Sequence, residues 1–366
     1  MTFDLIVVGG GPAGCAAAIS AAPSGASVLL LERARFPRHK VCGEFVSAES
    51  LDLLHNLLAP AHQRIITEAP RIAHGRIFVD GAELGAEITP PAASITRFDL
   101  DAALWNSCVQ CGVEAREDCA VQSVEGPGPF RVNTAHGHFD AKSVINATGR
   151  WSNLTSQAMR AQKTKERWIG VKAHFREACP PPSVDLYFFD GGYCGVQPIT
   201  PAARNGPGMC VNACAMVRSD VATSLDEVLR CHPALLGRSR GWQPLMDAVY
   251  TSPLVFHDPE PVYGGMLQAG DSATFVDPFI GDGISLALRS GALATQCLIR
   301  FFRGECSLQQ AALTYSRLYK QRLAPVFHAS SKLRRMLRVP GVIRRPVLSL
   351  LQRTPSITRQ LVKMTR

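Results

Sequence analysis

Three glycines near the N-terminus, Gly9, Gly11 and Gly14, have the spacing of a dinucleotide-binding turn. They follow an apolar run, and the acidic Glu32 stands 18 positions after Gly14. In a strand–turn–helix–strand unit such glycines permit a tight turn, close approach to a pyrophosphate and tight helix–strand packing. The helix N-terminus then faces the phosphates, and the carboxylate accepts hydrogen bonds from a ribose. The pattern predicts a dinucleotide site, with a glycine turn that only packs as the alternative.

The chain around these glycines predicts a β-α-β unit. Phe3 to Val8 is an apolar strand, Cys15 to Ala22 is a small-residue helix, and Val28 to Leu31 is a second strand. The sequence Pro23-Ser24-Gly25 turns the chain between the helix and the second strand.

A basic loop follows, in which Arg33, Arg35, Arg38 and Lys40 lead to Cys42-Gly43-Glu44. Because cations attract a pyrophosphate, we expect this loop to contact the cofactor. A solvated surface loop is the alternative for any single arginine.

A later pair of motifs predicts contacts to the rest of a cofactor. Gly270-Asp271 follows a predicted strand, where a carboxylate can bind sugar or polyol hydroxyl groups. Gly281 and Gly283 precede a predicted helix, Ile284 to Leu298. A helix N-terminus behind two glycines can approach a flat ring and stabilise negative charge on it.

Two side chains are candidates for proton transfer. Cys42 can give a proton or hold substrate, with a buried, inert thiol as the alternative. For His174 we prefer a core or surface histidine over an acid or base, because nothing near it in the sequence would tune its pKa. Cys108-x-x-Cys111 lacks a second pair at zinc spacing, so we expect structural thiols and no metal site.

The next segments predict alternating helices and strands: a helix from Leu51 to Leu58 capped by Ser47 or Ser50, a hairpin of Ile72 to Val79 and Leu84 to Ile88, and a helix from Arg97 to about Gln110. Short strands between Glu114 and Asp140 lead to an apolar strand that ends in Ala147-Thr148-Gly149. We expect that strand to return beside the first one in a parallel sheet. From Trp151 to about Pro261, prolines and alternating strands predict a mainly antiparallel sheet.

Length and composition predict a cytoplasmic enzyme. The chain has 366 residues and 46% hydrophobic content, which is enough to bury a large core in two joined domains. Its start enters a strand directly, which argues against a signal peptide, and no apolar run reaches the about 18 residues of a membrane helix. Twelve cysteines without a secretory signal favour a reducing compartment.

The net charge of +9 comes from the C-terminal end of the chain. Arg317 to Arg366 contains 13 of the 39 Lys and Arg residues, and no Asp or Glu follows Glu305. Val326 to Leu337 and Val347 to Val362 mix apolar residues with cations, which predicts peripheral binding to an anionic membrane surface at its inner face. Docking on the protein's own acidic body is the alternative. This localised charge argues against a nucleic-acid-binding protein.

Together these sites resemble the flavoproteins of the para-hydroxybenzoate hydroxylase fold and, within them, the geranylgeranyl reductase-like branch. The resemblance covers roughly Met1 to Leu318 and rests on the following segments: the glycine unit, Lys40-Val41-Cys42-Gly43, Arg97, Ala147-Thr148-Gly149, Gly270-Asp271 and Ile280 to Ser290. It implies an α/β fold with a Rossmann-type FAD-binding domain, a mainly antiparallel β substrate domain and a helical basic C-terminal tail.

By this resemblance the cofactor is FAD. The implied contacts are to its ADP half (Gly9, Gly11, Gly14, Glu32), its central part (Arg97), its ribityl chain (Asp271) and its isoalloxazine (Gly281, Gly283, Ile284), with Cys42 and Gly43 near the reactive ring. The predicted cofactor-binding set also includes Pro12, Ala13, Arg33, Lys40, Ala147, Gly149, Gly270 and Pro278. Cys42 is the predicted catalytic residue, and the predicted substrate contacts are Tyr193, Cys194 and Pro198.

The sequence departs from the resembled families at two places. Thr148-Gly149 replaces the Asp-Gly of many hydroxylases, a motif that also serves NADPH in that type. Tyr193-Cys194-Gly195-Val196-Gln197-Pro198 stands where prenyl reductases usually have Tyr-x-Trp-x-Phe-Pro, which argues against prenyl reduction. The Trp-x-Trp-x-Ile-Pro sequence of many flavin halogenases is absent from the chain.

The predicted FAD-binding domain comprises residues 1–70, 96–150 and 262–305. The predicted substrate domain comprises an excursion at residues 71–95 and the main part at 151–261. Residues 306–366 form the predicted basic helical C-terminal region.

These features predict an FAD-dependent oxidoreductase that acts on a small lipophilic substrate. Our first interpretation is a monooxygenase that hydroxylates a phenolic, polyketide or isoprenoid compound. The alternative is a geranylgeranyl reductase-like enzyme that reduces C=C bonds of an isoprenoid. A non-catalytic carrier of prenylated proteins and a flavin halogenase are further alternatives. Because no second glycine fingerprint is present, NAD(P)H binds transiently or another donor supplies electrons.

Overall fold

The computed structural model describes residues 2–150, 154, 167–200, 209–254, 256–328 and 330. These residues form a mixed α/β fold with two sheets. The strands are β1 (Thr2–Val8), β2 (Val28–Leu31), β3 (Phe45–Val46), β4 (Arg71–Val79), β5 (Ala82–Ser94), β6 (Glu114–Arg116), β7 (Val121–Glu125), β8 (Phe130–Thr134), β9 (Gly137–Asn146), β10 (Trp168–Arg176), β11 (Ser183–Phe189), β12 (Gly192–Ile199), β13 (Cys210–Arg218), β14 (Gln243–Pro244), β15 (Val249–Thr251), β16 (Val262–Tyr263) and β17 (Met266–Gln268). The helices are α1 (Pro12–Ala21), α2 (Leu51–Leu57), α3 (Arg64–Thr67), α4 (Arg97–Gln110), α5 (Leu225–Arg230), α6 (Pro233–Ser239), α7 (Gly283–Phe302) and α8 (Leu308–Arg322).

The first sheet carries the glycine turn. Its order is β16-β17-β9-β1-β2-β6, with β8 paired to β9 and β7 to β8. β1 pairs in parallel with both β2 and β9, and β9 pairs in parallel with β17. The carboxyl ends of these central strands therefore meet at one edge, where an open α/β sheet binds its ligand. The predicted return of the strand that ends at Ala147 is confirmed.

The second sheet has the order β14-β10-β13-β12-β11-β4-β5-β3, and β15 pairs with β10. Most of its pairs are antiparallel, while β11 and β4 run parallel. The predicted hairpin is confirmed as β4 and β5, and it joins this second sheet. The domain boundaries drawn from the sequence stay a prediction.

Small residues let the helices of the first layer pack closely. α1 lies against α7, where a Cβ on Gly291 would stand only 2.0 Å from the carbonyl oxygen of Ala13. α4 covers the same core through the buried side chains of Leu100 and Leu104. A separate core lies between the second sheet and α5 and α6, with Leu235 fully buried in it.

The predicted serine caps of α2 are wrong. Neither Ser47 nor Ser50 accepts a capping hydrogen bond from the helix. The Ser47 hydroxyl instead lies 3.0 Å from Oδ1 of Asp282 and 2.7 Å from the hydroxyl of Ser285. This serine therefore connects the chain before α2 to the start of α7.

The C-terminal helix α8 is part of the folded body. Tyr315 is fully buried, and its hydroxyl donates a 2.7 Å hydrogen bond to the carbonyl oxygen of Gln268 in β17. Residues 324–328 are also helical, and Val326 and Phe327 are buried. The predicted tail segment from Val347, and most of the segment from Val326, lie outside the described residues. Within the described part of the chain, no helix is both long and apolar enough to cross a membrane.

Candidate functional site

A cavity of about 750 Å³ opens at the carboxyl edge of the first sheet and extends to the second sheet. That size lies in the range of cofactor and ligand sites. Most residues predicted to bind cofactor line it: Gly9, Gly11, Pro12, Ala13, Glu32, Arg33, Lys40, Cys42, Gly43, Arg97, Ala147, Gly149, Gly270, Asp271, Pro278, Gly281, Gly283 and Ile284. The structure thus gathers them at one place, and their individual roles toward a cofactor stay predictions.

The three glycines of the turn differ in what surrounds them. Gly9 has a φ of +107°, and a Cβ there would lie 2.4 Å from the carbonyl oxygen of Ala147. Gly14 packs inward, away from the cavity lining, because its Cβ would lie 1.8 Å from the carbonyl oxygen of Gly9. Gly11 faces open space, since the nearest atom to its Cβ would be Nη2 of Arg97 at 3.9 Å.

The N-terminus of α1 fits a pyrophosphate. Gly11 is its N-cap, no side chain caps the helix, and its first turn contains no acidic residue. The unpaired N–H groups and the positive end of the helix dipole are therefore available to an anion in the space beside Gly11.

Glu32 stands at the end of β2 as the dinucleotide pattern requires. Its carboxylate accepts hydrogen bonds from the backbone N–H groups of Gly10 (2.7 Å) and Ala34 (3.0 Å). Nη2 of Arg38 lies 3.4 Å from the same carboxylate, while the buried Nε of Arg38 has no hydrogen-bond partner among the described residues. These contacts hold the acid in place at the cavity wall.

Cations gather beside the glycine turn. Burial and the neighbouring charges of Arg38 and Arg97 lower the pKa of Lys40 to about 8. Arg97, at the first turn of α4, forms a two-pronged ion pair with the buried Asp101 at 2.6 and 2.7 Å. Burial opposes the charge of Arg97, but Asp101 raises its pKa and keeps it cationic. The cluster can attract phosphate groups.

The predicted motifs at Gly270-Asp271 and at Gly281 line the other side of the cavity. The backbone N–H of Gly270 donates to the hydroxyl of Ser290 in α7 at 2.9 Å. Removal from water raises the pKa of the Asp271 carboxyl, and Arg150, 3.7 Å away, opposes that rise.

Gly281 has a φ of +77°, and its Cβ would lie 2.9 Å from the ring of Phe45. α7 begins directly afterwards, so its N-terminus faces the cavity at Gly283 and Ile284.

Taken together, these features fit FAD. The open space beside Gly11 and the uncapped start of α1 suit a pyrophosphate. The glycines before α7 permit close approach of a flat ring.

Cys42 lines the cavity between the two sheets. Its Sγ accepts a 3.3 Å hydrogen bond from the backbone N–H of Glu44. Burial raises the pKa of this thiol, with Arg97 as the main opposing influence. Cys42 is therefore a protonated thiol at neutral pH, which suits proton donation better than nucleophilic attack.

A buried charge cluster behind Cys42 includes His174. Nε2 of His174 lies 2.9 Å from Oε2 of Glu44, and Nζ of Lys172 pairs with Oε1 of the same carboxylate. Glu44 and Lys172 are both fully buried. His174 is buried, as the preferred interpretation of a core histidine requires, and its charged partner Glu44 is distant in sequence. The alternate spacing of Lys172 and His174 on one strand face was the available signal.

The end of the cavity against the second sheet is apolar. Tyr193, Met216, Leu254 and Phe275 line it. Cys194 is wrong as a predicted substrate contact, since it is fully buried in the core on the other side of the sheet, with α5 and α6. Pro198, an even number of residues further along β12, shares the Cys194 face and does not line the cavity.

Cysteine and acidic side chains form no metal site in the described part of the chain. None of the twelve cysteines, Cys108 and Cys111 included, forms a disulfide, and all lie in the part of the chain that the structure describes.

Comparisons with known proteins agree with this geometry. Residues 39–296 match the profile of a family described as FAD dependent oxidoreductase, and residues 4–67 match a second profile with the same description. A digeranylgeranylglycerophospholipid reductase from Methanopyrus kandleri is 28% identical over 310 residues, covering 80% of this chain and 76% of that relative.

Two solved structures share the fold. A geranylgeranyl bacteriochlorophyll reductase-like protein from Thermoplasma acidophilum has a TM-score of 0.74 at 19% identity, covering 100% of this chain and 95% of the other. A flavin-dependent brominase has a TM-score of 0.76 at 17% identity, covering 100% and 93%. The resemblance to the geranylgeranyl reductase-like branch is confirmed by the matched profile and the Methanopyrus kandleri reductase together with the reductase-like structure. Because the matched profile spans more than half of the chain, the protein belongs to the FAD dependent oxidoreductase family.

Proposed function

We propose that this protein reduces a carbon–carbon double bond of a lipophilic, isoprenoid-type substrate. The observation that carries the proposal is the position of Cys42, a half-buried thiol at the cavity wall between the predicted flavin site and the apolar end. Reduction of an isolated alkene needs a proton donor on one carbon, and a thiol with a raised pKa is protonated at neutral pH.

The apolar end of the cavity supports a substrate without many polar groups. Tyr193, Leu254 and Phe275 offer rings and branched chains there, and apolar burial drives the binding of such a substrate. The relative from Methanopyrus kandleri is named as a reductase of a digeranylgeranyl lipid, which supports the same class of chemistry.

In this mechanism the protein's own residues bind the substrate, orient it and protonate it. When bound and reduced, FAD supplies hydride to one alkene carbon. The Cys42 thiol gives its proton to the other carbon, and the resulting thiolate regains a proton from solvent. Arg97, beside the thiol, stabilises that thiolate in the interval. NAD(P)H or another transient donor supplies the electrons for the next turnover.

Oxygen insertion is the second candidate. It is favoured by small residues at the cavity wall, Gly170, Cys214 and Ala215, which leave room for a substrate ring. The sequence argument for it was the missing Trp and Phe near Cys194. The missing Trp and Phe correspond to Gly195 and Gln197, which share the Tyr193 face of β12 and not that of Cys194, so their absence still favours insertion.

Anaerobic flavin reoxidation tests the proposal. Enzyme reduced with dithionite under nitrogen should regain oxidised-flavin absorbance when a geranylgeranyl lipid is added. Cys42→Ala should slow this step by about 100-fold or more, because a positioned acid is lost, while Cys42→Ser should retain part of it. Cys111→Ala, which changes an exposed thiol, is the control. Substrate-dependent reoxidation that occurs only with oxygen would support insertion instead.

A further inference from the structure

The loop Cys42-Gly43-Glu44 is fixed by contacts that the proposed reaction does not itself use. We propose that Glu44 is a positioning residue for Cys42: it fixes the loop against the second sheet and, with Lys172, supplies the buried charges that face the thiol. The inference rests on the proposed role of Cys42 as proton donor. It assigns a task to a charge cluster that lies behind the cavity wall.

The backbone of Glu44 sets the direction of the thiol. Glu44 has a φ of +63°, in the left-handed region that residues with a side chain rarely adopt. In this conformation its N–H points at Sγ of Cys42 at 3.3 Å, while its carbonyl oxygen accepts from the N–H of Ile95 at 2.9 Å. Because the sulfur accepts this hydrogen bond, its own proton must point elsewhere.

Asn212 fixes the same loop from β13. Its Nδ2 donates to the carbonyl oxygens of Cys42 at 3.0 Å and of Gly43 at 2.9 Å. The loop that carries the thiol is therefore tied directly to the second sheet, which also forms the apolar end of the cavity.

The side chain of Glu44 holds the strained backbone in place. Its Oε1 accepts from Nζ of Lys172 and, at 2.8 Å, from the backbone N–H of Arg97, while Oε2 lies 2.9 Å from Nε2 of His174. Three separate elements, the Cys42 loop, β10 and the start of α4, converge on one carboxylate. Breaking such a buried pair leaves an uncompensated charge, so the contacts keep the loop in one conformation.

Four titratable groups face the Cys42 thiol: Arg97, Glu44, Lys172 and Cys214. After burial, which raises the pKa of Cys42, Arg97, the backbone N–H of Glu44 and Lys172 lower it, while the Glu44 carboxylate raises it. The side chains of Glu44 and Lys172 thus act on the pKa of the thiol with opposite sign. A cluster that merely filled space would have no such effect.

The test measures the pH dependence of Cys42 alkylation by iodoacetamide in flavin-loaded protein, resolved by peptide mass spectrometry. Glu44→Gln keeps the size of the side chain but removes its negative charge. The pH midpoint of Cys42 alkylation should therefore fall by about one pH unit. Lys172→Met removes a cation and should raise it. The double variant should return the midpoint toward that of the unmodified protein.

Asp185→Asn is the matched control. Asp185 is fully buried in the same sheet, but it pairs with Arg76 and Arg238 and does not touch the Cys42 loop. Its variant should leave the midpoint unchanged. Unchanged midpoints in both Glu44→Gln and Lys172→Met, with flavin still bound, would overturn the proposal. Lys172→Met also provides a test if Glu44→Gln does not fold.

The readout does not depend on turnover, so the two proposals can fail separately. If Cys42→Ala reduces substrate at the normal rate but the midpoints shift, the donor role of Cys42 is wrong and the positioning by Glu44 stands. If Cys42→Ala is inactive and the midpoints do not move, the reverse holds.

Discussion

A Cβ placed on Gly14 would lie 1.8 Å from the carbonyl oxygen of Gly9, inside any real contact distance. Gly14 therefore serves the packing of α1 against β1, whereas Gly11, with open space around its Cβ position, serves the ligand. The glycine motif thus divides into a structural member and a binding member.

Two substitutions should separate these roles. Gly11→Val should leave a folded protein that has lost flavin absorbance, because the side chain occupies the pyrophosphate space. Gly14→Ala should destabilise the fold by about 1–3 kcal/mol or more through overpacking. Flavin content and thermal unfolding measure the two effects, and Gly85→Ala, with nothing near its Cβ position, is the control. Full flavin content in Gly11→Val would contradict the site assignment.

Lys40 should make FAD affinity depend on pH. Its pKa in the protein without FAD is about 8, and a bound pyrophosphate would raise it. Binding therefore takes up a proton above pH 8, and the Kd should rise roughly tenfold between pH 7 and pH 9. Lys40→Met should bind more weakly and show a flatter profile, while Lys142→Met, which changes an exposed lysine, should retain the slope. Equal slopes in all three proteins, measured by fluorescence titration of apoprotein, would exclude Lys40 from the phosphate site.

Asp271→Ala should weaken FAD binding without abolishing it. The loss of a charge-assisted hydrogen bond to the ribityl chain corresponds to about 1–3 kcal/mol. Asp220→Ala, which removes an exposed carboxylate paired with Arg218, should leave the Kd unchanged. If Asp271→Ala binds FAD as tightly as the unmodified protein, the carboxylate does not contact the cofactor.

Local patterns in the sequence sufficed to predict helices and strands in the cofactor-binding half of the fold. The bounds of β2 and α4 agree with the predicted Val28 to Leu31 and Arg97 to Gln110. Both elements begin just after strong signals. A turn glycine, Gly25, precedes β2, and Thr96 caps the start of α4, where its side chain accepts a hydrogen bond from the Asp99 N–H. Such signals lie within a few residues of the elements that they delimit.

Partners that are distant in sequence could not be predicted in this way. Glu44 meets Lys172 across 128 positions and His174 across 130, and the tertiary fold alone brings them together. Of the predicted substrate contacts, Tyr193 lines the cavity, whereas Cys194 and Pro198 do not, for a different reason. Adjacent residues of a strand face opposite sides, so Tyr193 and Cys194 cannot both contact one ligand.

The basic tail stays a prediction, and the structure shows where to cut it. Truncation after Ser330 preserves the buried Tyr315 and Phe327 and removes 10 Lys and Arg residues. The truncated protein should bind anionic liposomes more weakly. The loss of binding free energy should be on the order of 1 kcal/mol for each removed cation that reaches the surface. Neutral liposomes provide the control in a sedimentation assay. Equal binding by both proteins would exclude membrane binding by the tail and leave docking of the tail on the protein's own acidic body.

Product analysis after one anaerobic turnover tests the central claim most directly. Enzyme reduced with dithionite is mixed with a geranylgeranyl lipid under nitrogen. The molecular mass of the extracted lipid is then measured by mass spectrometry. Proton donation by Cys42 predicts a product two hydrogens heavier, formed without oxygen and lost in Cys42→Ala. Lipid that stays unchanged until oxygen enters, and then gains one oxygen atom, would contradict the reduction and make the enzyme a hydroxylase.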